Sequence, residues 1–146
     1  MMAFLIDTNI LSELRKSPQG SPAVQAWQVS EMMSQDAYLS VLTIGEIRKG
    51  IELIGKRDLS QAAALETWPQ VFYLEFSDRI LPLSLEIAED WGHLNANRPL
   101  PAIDSLLAAT ARVHDLVLAT RNVKDLHGVP VKIVNPFAYD SNAYEV

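Results

Sequence analysis

The stretch AFLIDTNIL at residues 3–11 places four apolar residues directly before three polar ones. The apolar run predicts a short buried strand over residues 3–6, and one of positions 7–9 would cap a helix that runs to about Lys16. Asp7 therefore has two interpretations: it caps this helix, or it stands at the end of the strand to do chemistry. Which interpretation holds depends on whether other acidic residues of the chain belong to the same site as Asp7.

Composition narrows the classes of protein that the chain can belong to. Its 146 residues are 49% apolar, so we expect one packed domain rather than disorder. There is no cysteine, which excludes disulfides, thiolate nucleophiles and cysteine-ligated metals. The start of the chain has no basic segment before Asp7, and no apolar run approaches the ~20 residues of a membrane span. We therefore expect a cytoplasmic protein that does not contact a membrane.

The net charge of −6 argues, taken alone, against a large nucleic-acid footprint, since lysine and arginine drive phosphate binding. It also fits carboxylates concentrated in one place to hold cations, or a basic partner. Net charge by itself is compatible with both a cation site and a basic partner.

Short apolar runs alternate with helical patterns along the chain. Further strands are predicted at 38–40, 80–83, 116–120 and 131–134, with Pro82 limiting its run to an edge strand or a strand start. Helices are predicted between them, at 23–33, 41–54, 59–76 with an interruption near Pro69, 84–97 and 102–114. The first of these has Val24, Trp27 and Met33 as candidate core positions. This alternation is typical of a three-layer α/β fold with a mostly parallel sheet.

Ligands of such sheets lie outside the carboxyl ends of the strands, at a switch point in strand order. Two segments place polar residues at the end of a predicted strand: residues 7–9 and residues 120–122. This is the first indication that Asp7 faces a site.

Most of the 18 acidic residues are interpreted as solvated surface groups, and three are exceptions. Asp7 ends a strand, Glu46 borders the apolar stripe of its helix, and Asp104 lies in the first turn of an alanine-rich helix. Three such carboxylates converging at one end of a sheet would repel each other, and a divalent metal would relieve that repulsion. Each also has a plain alternative: Asp7 as a helix cap, Glu46 as a surface acid paired with Lys49, and Asp104 as a complement to the helix dipole.

Four blocks carry these acids in order: LIDTNILSE at 5–13, LSVLTIGEIRKG at 39–50, PAIDSLLAATA at 101–111, and LVLATRNVKDL at 116–126, with NPF at 135–137. Together they resemble the PIN-domain family of metal-dependent ribonucleases. Within that family they are most similar to the VapC-type toxins of toxin–antitoxin pairs, especially the FitB-like branch. The resemblance implies a PIN-like α/β/α fold over residues 1–137, followed by a flexible tail over 138–146.

The resemblance also implies a set of site residues. Asp7, Glu46 and Asp104 would be the acidic ligands of Mg²⁺ or Mn²⁺. The family often has a fourth acid where this chain has Asn122. Either Asn122 contributes a neutral oxygen, or Asp125 acts directly or through water. The resemblance further implies that Thr8 and Thr120 brace the site through hydroxyl hydrogen bonds.

The activity implied by the resemblance is hydrolysis of RNA by a metal-activated water, leaving a 5′-phosphate and a 3′-hydroxyl. The chain would be the toxin of a type II pair, blocked by a cognate antitoxin lying across the acidic site, and it would form a homodimer, with 51–54 as one possible surface. The candidate contacts to RNA phosphates are Arg48, Lys49, Arg121 and Lys124, with Arg15 and Lys16 as weaker candidates. His93, His114 and His127 are interpreted as structural or exposed.

Two other hypotheses stay open at this point. The first is a PIN-fold module that binds nucleic acid or a protein without cleavage, which the departure at Asn122 keeps open as an alternative to the nuclease. A phosphotransferase or receiver-like α/β enzyme is disfavoured, because the strand before Asp7 supplies only one acid and the position two residues later is Asn9.

Overall fold

The computed structural model describes residues 2–16, 19–32 and 36–140, and the backbone of 144–145. Five parallel strands form the sheet, and a sixth pairs antiparallel at one side. In chain order they are β1 (Phe4–Ile6), β2 (Ala37–Ser40), β3 (Ile80–Leu81), β4 (Val117–Ala119), β5 (Ile133–Val134) and β6 (Tyr144–Glu145). The predicted mostly parallel sheet is confirmed, and the run before Pro82 forms an edge strand, as expected.

Helices cover both faces of this sheet. They are α1 (Thr8–Arg15), α2 (Pro22–Trp27), α3 (Val41–Gly55), α4 (Leu59–Leu65), α5 (Thr67–Glu75), α6 (Leu85–Asn95) and α7 (Ala102–Val113). Alternate side chains of β1 point to opposite faces: Phe4 and Ile6 pack into the core formed with α1 to α5, and Leu5 packs into the core formed with α7. The predicted three-layer α/β/α fold is therefore confirmed.

Two helical segments differ from the prediction. The helix that starts at Pro22 continues after Trp27 as a π-helical turn, Gln28–Met32. Val24 and Trp27 are buried, as expected, and Met33 lies outside the described residues. The predicted 59–76 helix breaks at Glu66 and not at Pro69, because Pro69 lies in the first turn of α5, where its missing N–H removes no helical hydrogen bond.

The end of the chain also differs in part. Residues Pro136–Ala138 form a 3₁₀ turn, and Tyr144–Glu145 pair with β5 as the sixth strand. Part of the predicted flexible tail is thus a strand, because the free side of β5 offers backbone groups for pairing. The domain boundary at residue 137 stays a prediction. Within the described residues, no helix combines the length and apolar character needed to cross a membrane.

The order of strands across the sheet is β3-β2-β1-β4-β5-β6. The chain builds outward from β1 to β3 on one side and then returns to add β4 on the other, so the switch in strand order lies between β1 and β4. These two strands pair in register, with Ile6 opposite Ala119. Asp7 and Thr120, which directly follow them, therefore meet at the carboxyl end of the sheet.

Candidate active site

Asp7 lies at the junction of β1 and α1, with only 4% of its surface exposed. Its Oδ1 accepts a hydrogen bond from the Thr8 backbone N–H at 2.7 Å, and this makes Asp7 the N-cap of α1. Its Oδ2 accepts hydrogen bonds from the Thr120 hydroxyl at 2.6 Å and from the Asn9 side-chain amide at 3.4 Å. The two interpretations of Asp7 are therefore compatible, because the cap uses one oxygen and the contact with the end of β4 uses the other.

Within the described ranges, the charge of Asp7 has no positive partner. Burial raises the pKa of Asp7 above its ordinary value and the charge of Glu46 adds to that rise, while the hydrogen bonds from Thr120 and Thr8 oppose it. No lysine, arginine or histidine among the described residues forms an ion pair with Asp7. A buried carboxylate in this position gains more from a bound cation than a solvated one does.

Glu46 reaches the same region from α3. This helix follows β2 directly, with Ser40 as its cap, so Glu46 lies in the second helical turn beyond the end of that strand. The Thr8 hydroxyl donates a hydrogen bond to Glu46 Oε1 at 2.8 Å. Thr8 therefore links the start of α1 to α3 and holds a second carboxylate near Asp7.

Asp104 lies in the first turn of α7 and is half-buried. Its Oδ1 accepts a hydrogen bond from the Asn122 side-chain amide at 3.3 Å. Burial raises the pKa of Asp104, and the charges of Asp7 and Asp125 raise it further, against the hydrogen bond from Asn122 that lowers it. The charge of Asp7 therefore acts on Asp104, and the two carboxylates lie at the same end of the sheet.

The three carboxylates share the carboxyl end of the sheet, and the hydrogen-bond donors described above for them are all neutral groups. In the ranges that the structure describes, no three carboxylate or imidazole side chains lie close enough together to enclose a metal ion. In chemical type the donors fit Mg²⁺ or Mn²⁺, since all are carboxylate oxygens without a competing basic side chain.

Asn122 and Asp125 occupy different positions relative to the site. The Asn122 side chain contacts Asp104, and its backbone N–H donates to Thr120 Oγ1 at 3.1 Å. Asp125 is exposed in the 3₁₀ turn Lys124–Leu126 and acts on Asp104 through its charge. Asn122 is thus in direct contact with a candidate ligand, whereas Asp125 lies on the rim.

The two basic candidates on α3, Arg48 and Lys49, differ in their ion pairs and in their position relative to the acidic residues. The guanidinium of Arg48 donates two hydrogen bonds to Glu66, one of them at 2.9 Å, and lies 3.7 Å from Glu52. Lys49 is exposed and forms no ion pair among the described residues. It lines a mostly apolar groove of about 460 Å³ together with Glu46. Of these two cations, only Lys49 lies beside the acidic site.

The other basic candidates have varied surroundings. The Arg121 guanidinium stacks on the Phe137 ring at 4.4 Å, and Lys124 is exposed on the rim beside Asp125. Arg15 lies over the Trp68 ring at 4.8 Å, away from the acids. Lys16, the last of the basic candidates, is exposed and pairs with Glu13 at 3.3 Å. The three histidines are also exposed, namely His93, His114 and His127.

Asn9 has a role that the sequence interpretation did not include. Its amide donates to Asp7, and its Oδ1 accepts a hydrogen bond from the Arg121 backbone N–H at 3.4 Å. It therefore joins the start of α1 to the loop after β4. The only signal in the sequence was its place two residues after Asp7, where a helix cap or a second acid could stand.

A parallel sheet with carboxylates along its carboxyl end, each held by a hydroxyl or an amide, defines an α/β domain with an acidic site at the strand switch point. The PIN domain model matches residues 4–130. The chain belongs to the PIN-domain family, and the predicted family is confirmed.

Relatives place the chain within one part of that family. Toxin FitB of Neisseria gonorrhoeae is 32% identical over 140 residues, which cover 91% of this chain and 97% of FitB. VapC ribonuclease Y4jK of Sinorhizobium fredii is 30% identical over 142 residues, 91% of this chain and 96% of the relative. The crystal structure of FitAcB from N. gonorrhoeae superposes with a TM-score of 0.81 and 31% identity, covering 93% of this chain and 99% of that chain.

Proposed function

We propose that this chain is the toxin of a toxin–antitoxin pair and acts in the cytoplasm as a Mg²⁺- or Mn²⁺-dependent endoribonuclease. The observation that carries the proposal is Asp7, a buried carboxylate at the switch point of the sheet that has no cationic partner in the part of the chain that the structure describes, with Glu46 and Asp104 at the same end. Similarity to a protein named as a toxin and to one named as a ribonuclease supports it.

The residues that would hold the cation are Asp7, Glu46 and Asp104. When bound, a divalent cation supplies Lewis acidity and a water of lowered pKa for attack on a phosphodiester bond. The residues of the chain orient the carboxylates. Thr120 fixes one oxygen of Asp7, and Thr8 fixes one oxygen of Glu46.

The basic residues that would contact RNA lie at the rim of this region. Lys49 lies in the groove beside Glu46, is exposed and forms no ion pair among the described residues, so it is the best placed to contact a phosphate. Arg121 and Lys124 lie in the segment that follows the end of β4. Arg48 would first have to break its ion pairs with Glu66 and Glu52.

A cleavage assay tests the nuclease. The purified full-length chain is incubated with end-labelled RNA and Mg²⁺ or Mn²⁺, with and without a chelator. We expect chelation to stop cleavage, and we expect Asp7→Asn and Asp104→Asn each to reduce it by at least about a hundredfold. Asp115→Asn is the matched control, because Asp115 is an exposed acid before β4, at the opposite end of the sheet. Cleavage that survives chelation or persists in the Asp7 and Asp104 variants contradicts the proposal.

The toxin role implies a cognate antitoxin, and the FitAcB structure supports this by similarity. We propose that a segment of the antitoxin covers the acidic site and that the toxin is a homodimer. Expression of the chain alone should arrest growth, and co-expression with the product of a neighbouring gene should restore it. Restoration by an antitoxin truncated before the covering segment would refute the blocking model. Light scattering of the purified chain measures its oligomeric state.

A second candidate function is a PIN-fold module that binds RNA or a protein without cutting. The observation that favours it is the neutral Asn122, which stands beside Asp104 where a fourth acid would add a further negative charge. RNA binding without cleavage across varied RNAs and both metals would support this candidate over the nuclease.

A further inference from the structure

The loop after β4 contacts two of the candidate ligands through a continuous line of hydrogen bonds. The Asn122 amide donates to Asp104 Oδ1 at 3.3 Å, and the Asn122 backbone N–H donates to Thr120 Oγ1 at 3.1 Å. The Thr120 hydroxyl then donates to Asp7 Oδ2 at 2.6 Å. Asp104 on α7 and Asp7 after β1 are thereby joined through a segment of three residues.

Chemistry fixes the orientation of the Asn122 side chain. An ionised carboxylate can only accept hydrogen bonds, so the NH₂ group of the amide has to face Asp104. An aspartate in the same place could not make this contact, because two carboxylates would repel each other. The amide therefore does something that a fourth acid cannot do: it holds Asp104 by donating to it.

We propose that Asn122 is a positioning residue, which fixes the carboxylate of Asp104 through its amide N–H and ties that carboxylate to Asp7 by way of Thr120. It does not act as a metal ligand through its own oxygen. This inference rests on the proposed function, since it concerns how the candidate ligands are held before a cation binds. The neutral Asn122, at the position where the family often has a fourth acid, then orients a candidate ligand.

Asn122 and Asp125 should change the pKa of Asp104 in opposite directions, and this gives a test of the inference. The Asn122 amide donates to Asp104 Oδ1 at 3.3 Å, and a donor at this distance stabilises the ionised carboxylate, whereas Asp125 adds a negative charge in the same loop that disfavours it. Removing the amide should therefore raise the pKa of Asp104, and neutralising Asp125 should lower it. A general disturbance of the loop would not move the same group in opposite directions.

The experiment is a ¹³C-carboxyl NMR titration of the metal-free, full-length chain. It compares wild type, Asn122→Ala and Asp125→Asn, with Asn97→Ala as the matched control at an exposed asparagine. We expect Asn122→Ala to raise the pKa of Asp104, Asp125→Asn to lower it, and Asn97→Ala to leave it unchanged. If Asn122→Ala does not fold, Asn122→Ser, whose side chain is shorter, replaces it. An unchanged or lower pKa of Asp104 in the Asn122 variant overturns the inference.

Calorimetric titration with Mn²⁺ alone then separates positioning from ligation. We expect Asn122→Ala to weaken Mn²⁺ binding about tenfold, the size of effect known for residues that orient a ligand, together with the change in the pKa of Asp104. Weaker Mn²⁺ binding with an unchanged pKa of Asp104 would mean that Asn122 is itself a ligand, and this overturns the inference.

The failure of the inference is distinguishable from the failure of the proposed function. A wild-type chain that binds no Mn²⁺ and cuts no RNA refutes the proposed function, whatever happens to the pKa of Asp104. A wild-type chain that binds Mn²⁺ and cuts RNA, with an Asn122→Ala variant that matches it in pKa, binding and cleavage, refutes only the positioning role.

Discussion

Replacing Thr120 by valine removes the shortest hydrogen bond of the site while keeping the shape of the side chain. Thr120 is 1% exposed, and its hydroxyl donates to Asp7 at 2.6 Å and accepts from the Asn122 backbone at 3.1 Å. After the change, Asp7 Oδ2 keeps only the 3.4 Å contact with Asn9. A hydrogen bond to a buried charge contributes about 1.5–3 kcal/mol, and an unpaired backbone N–H adds to its loss. We therefore expect Thr120→Val to lower the free energy of unfolding by about 3 kcal/mol.

Urea unfolding followed by circular dichroism, in the presence of a chelator, measures this change. The expected loss corresponds to a fall of about 6–10 °C in the melting temperature for a chain of this size. Thr120→Ser is the control: it keeps the hydroxyl and loses one methyl group, so it should cost only about 1 kcal/mol.

A double-mutant cycle with Asp7→Asn assigns the energy to the charge. In the Asp7→Asn background the hydroxyl contacts a neutral amide, and losing that contact should cost about 1 kcal/mol, which leaves a coupling of about 2 kcal/mol. If Thr120→Val costs the same in both backgrounds, the Thr120 hydroxyl does not stabilise the charge of Asp7, and its role in holding that carboxylate ionised is refuted.

Three further predictions concern charge. Asp7→Asn should raise the free energy of unfolding of the metal-free chain at neutral pH, because burial raises the pKa of Asp7 and so disfavours its ionised form in the fold. Urea unfolding at several pH values should show that this gain in stability shrinks as the pH falls through the pKa of Asp7 in the folded state, where the wild type takes up a proton. A gain that does not depend on pH would contradict this. Lys49→Gln should weaken the binding of uncleavable RNA more than Arg48→Gln does. Fluorescence anisotropy measures the binding constant at several salt concentrations, and the slope of log K against log salt concentration should fall in magnitude by about one only for the Lys49 variant. Equal losses in the two variants would contradict the distinction between Lys49 and Arg48. Asn122→Asp removes the amide that donates to Asp104 and places a repelling carboxylate there, so the metal-free chain should lose stability in urea unfolding at neutral pH; unchanged stability would contradict the contact between Asn122 and Asp104.

The local patterns of the sequence sufficed for the class of fold and for the candidate acids. Continuous apolar runs such as residues 3–6 mark strands buried on both faces, and an aspartate directly after such a run is visible without any tertiary information. Errors arose where local rules were ambiguous. A proline in a helical pattern predicts a break, but Pro69 lies in a first turn, where it is tolerated.

Contacts between side chains from distant parts of the chain could not be predicted in this way. Arg48 and Lys49 are neighbours in sequence and equal in charge, yet Arg48 is held by Glu66, between α4 and α5, and Lys49 lines the groove beside Glu46. Which of the two is available depends on where the junction of α4 and α5 lies against α3. That position follows from the packing of the whole apolar core.

The sequence by itself therefore determined the layers of the fold, the family and the acids at the carboxyl end of the sheet, because each depends on residue type and spacing along the chain. Only the tertiary structure decided how those acids are held. Asp7 meets Thr120 across 113 positions, Glu46 meets Thr8 across 38, and Asp104 meets Asn122 across 18. Hydrogen bonds require donor and acceptor within about 3 Å, and only the pairing of β1 with β4 and the packing of α3 and α7 on that sheet bring these partners so close.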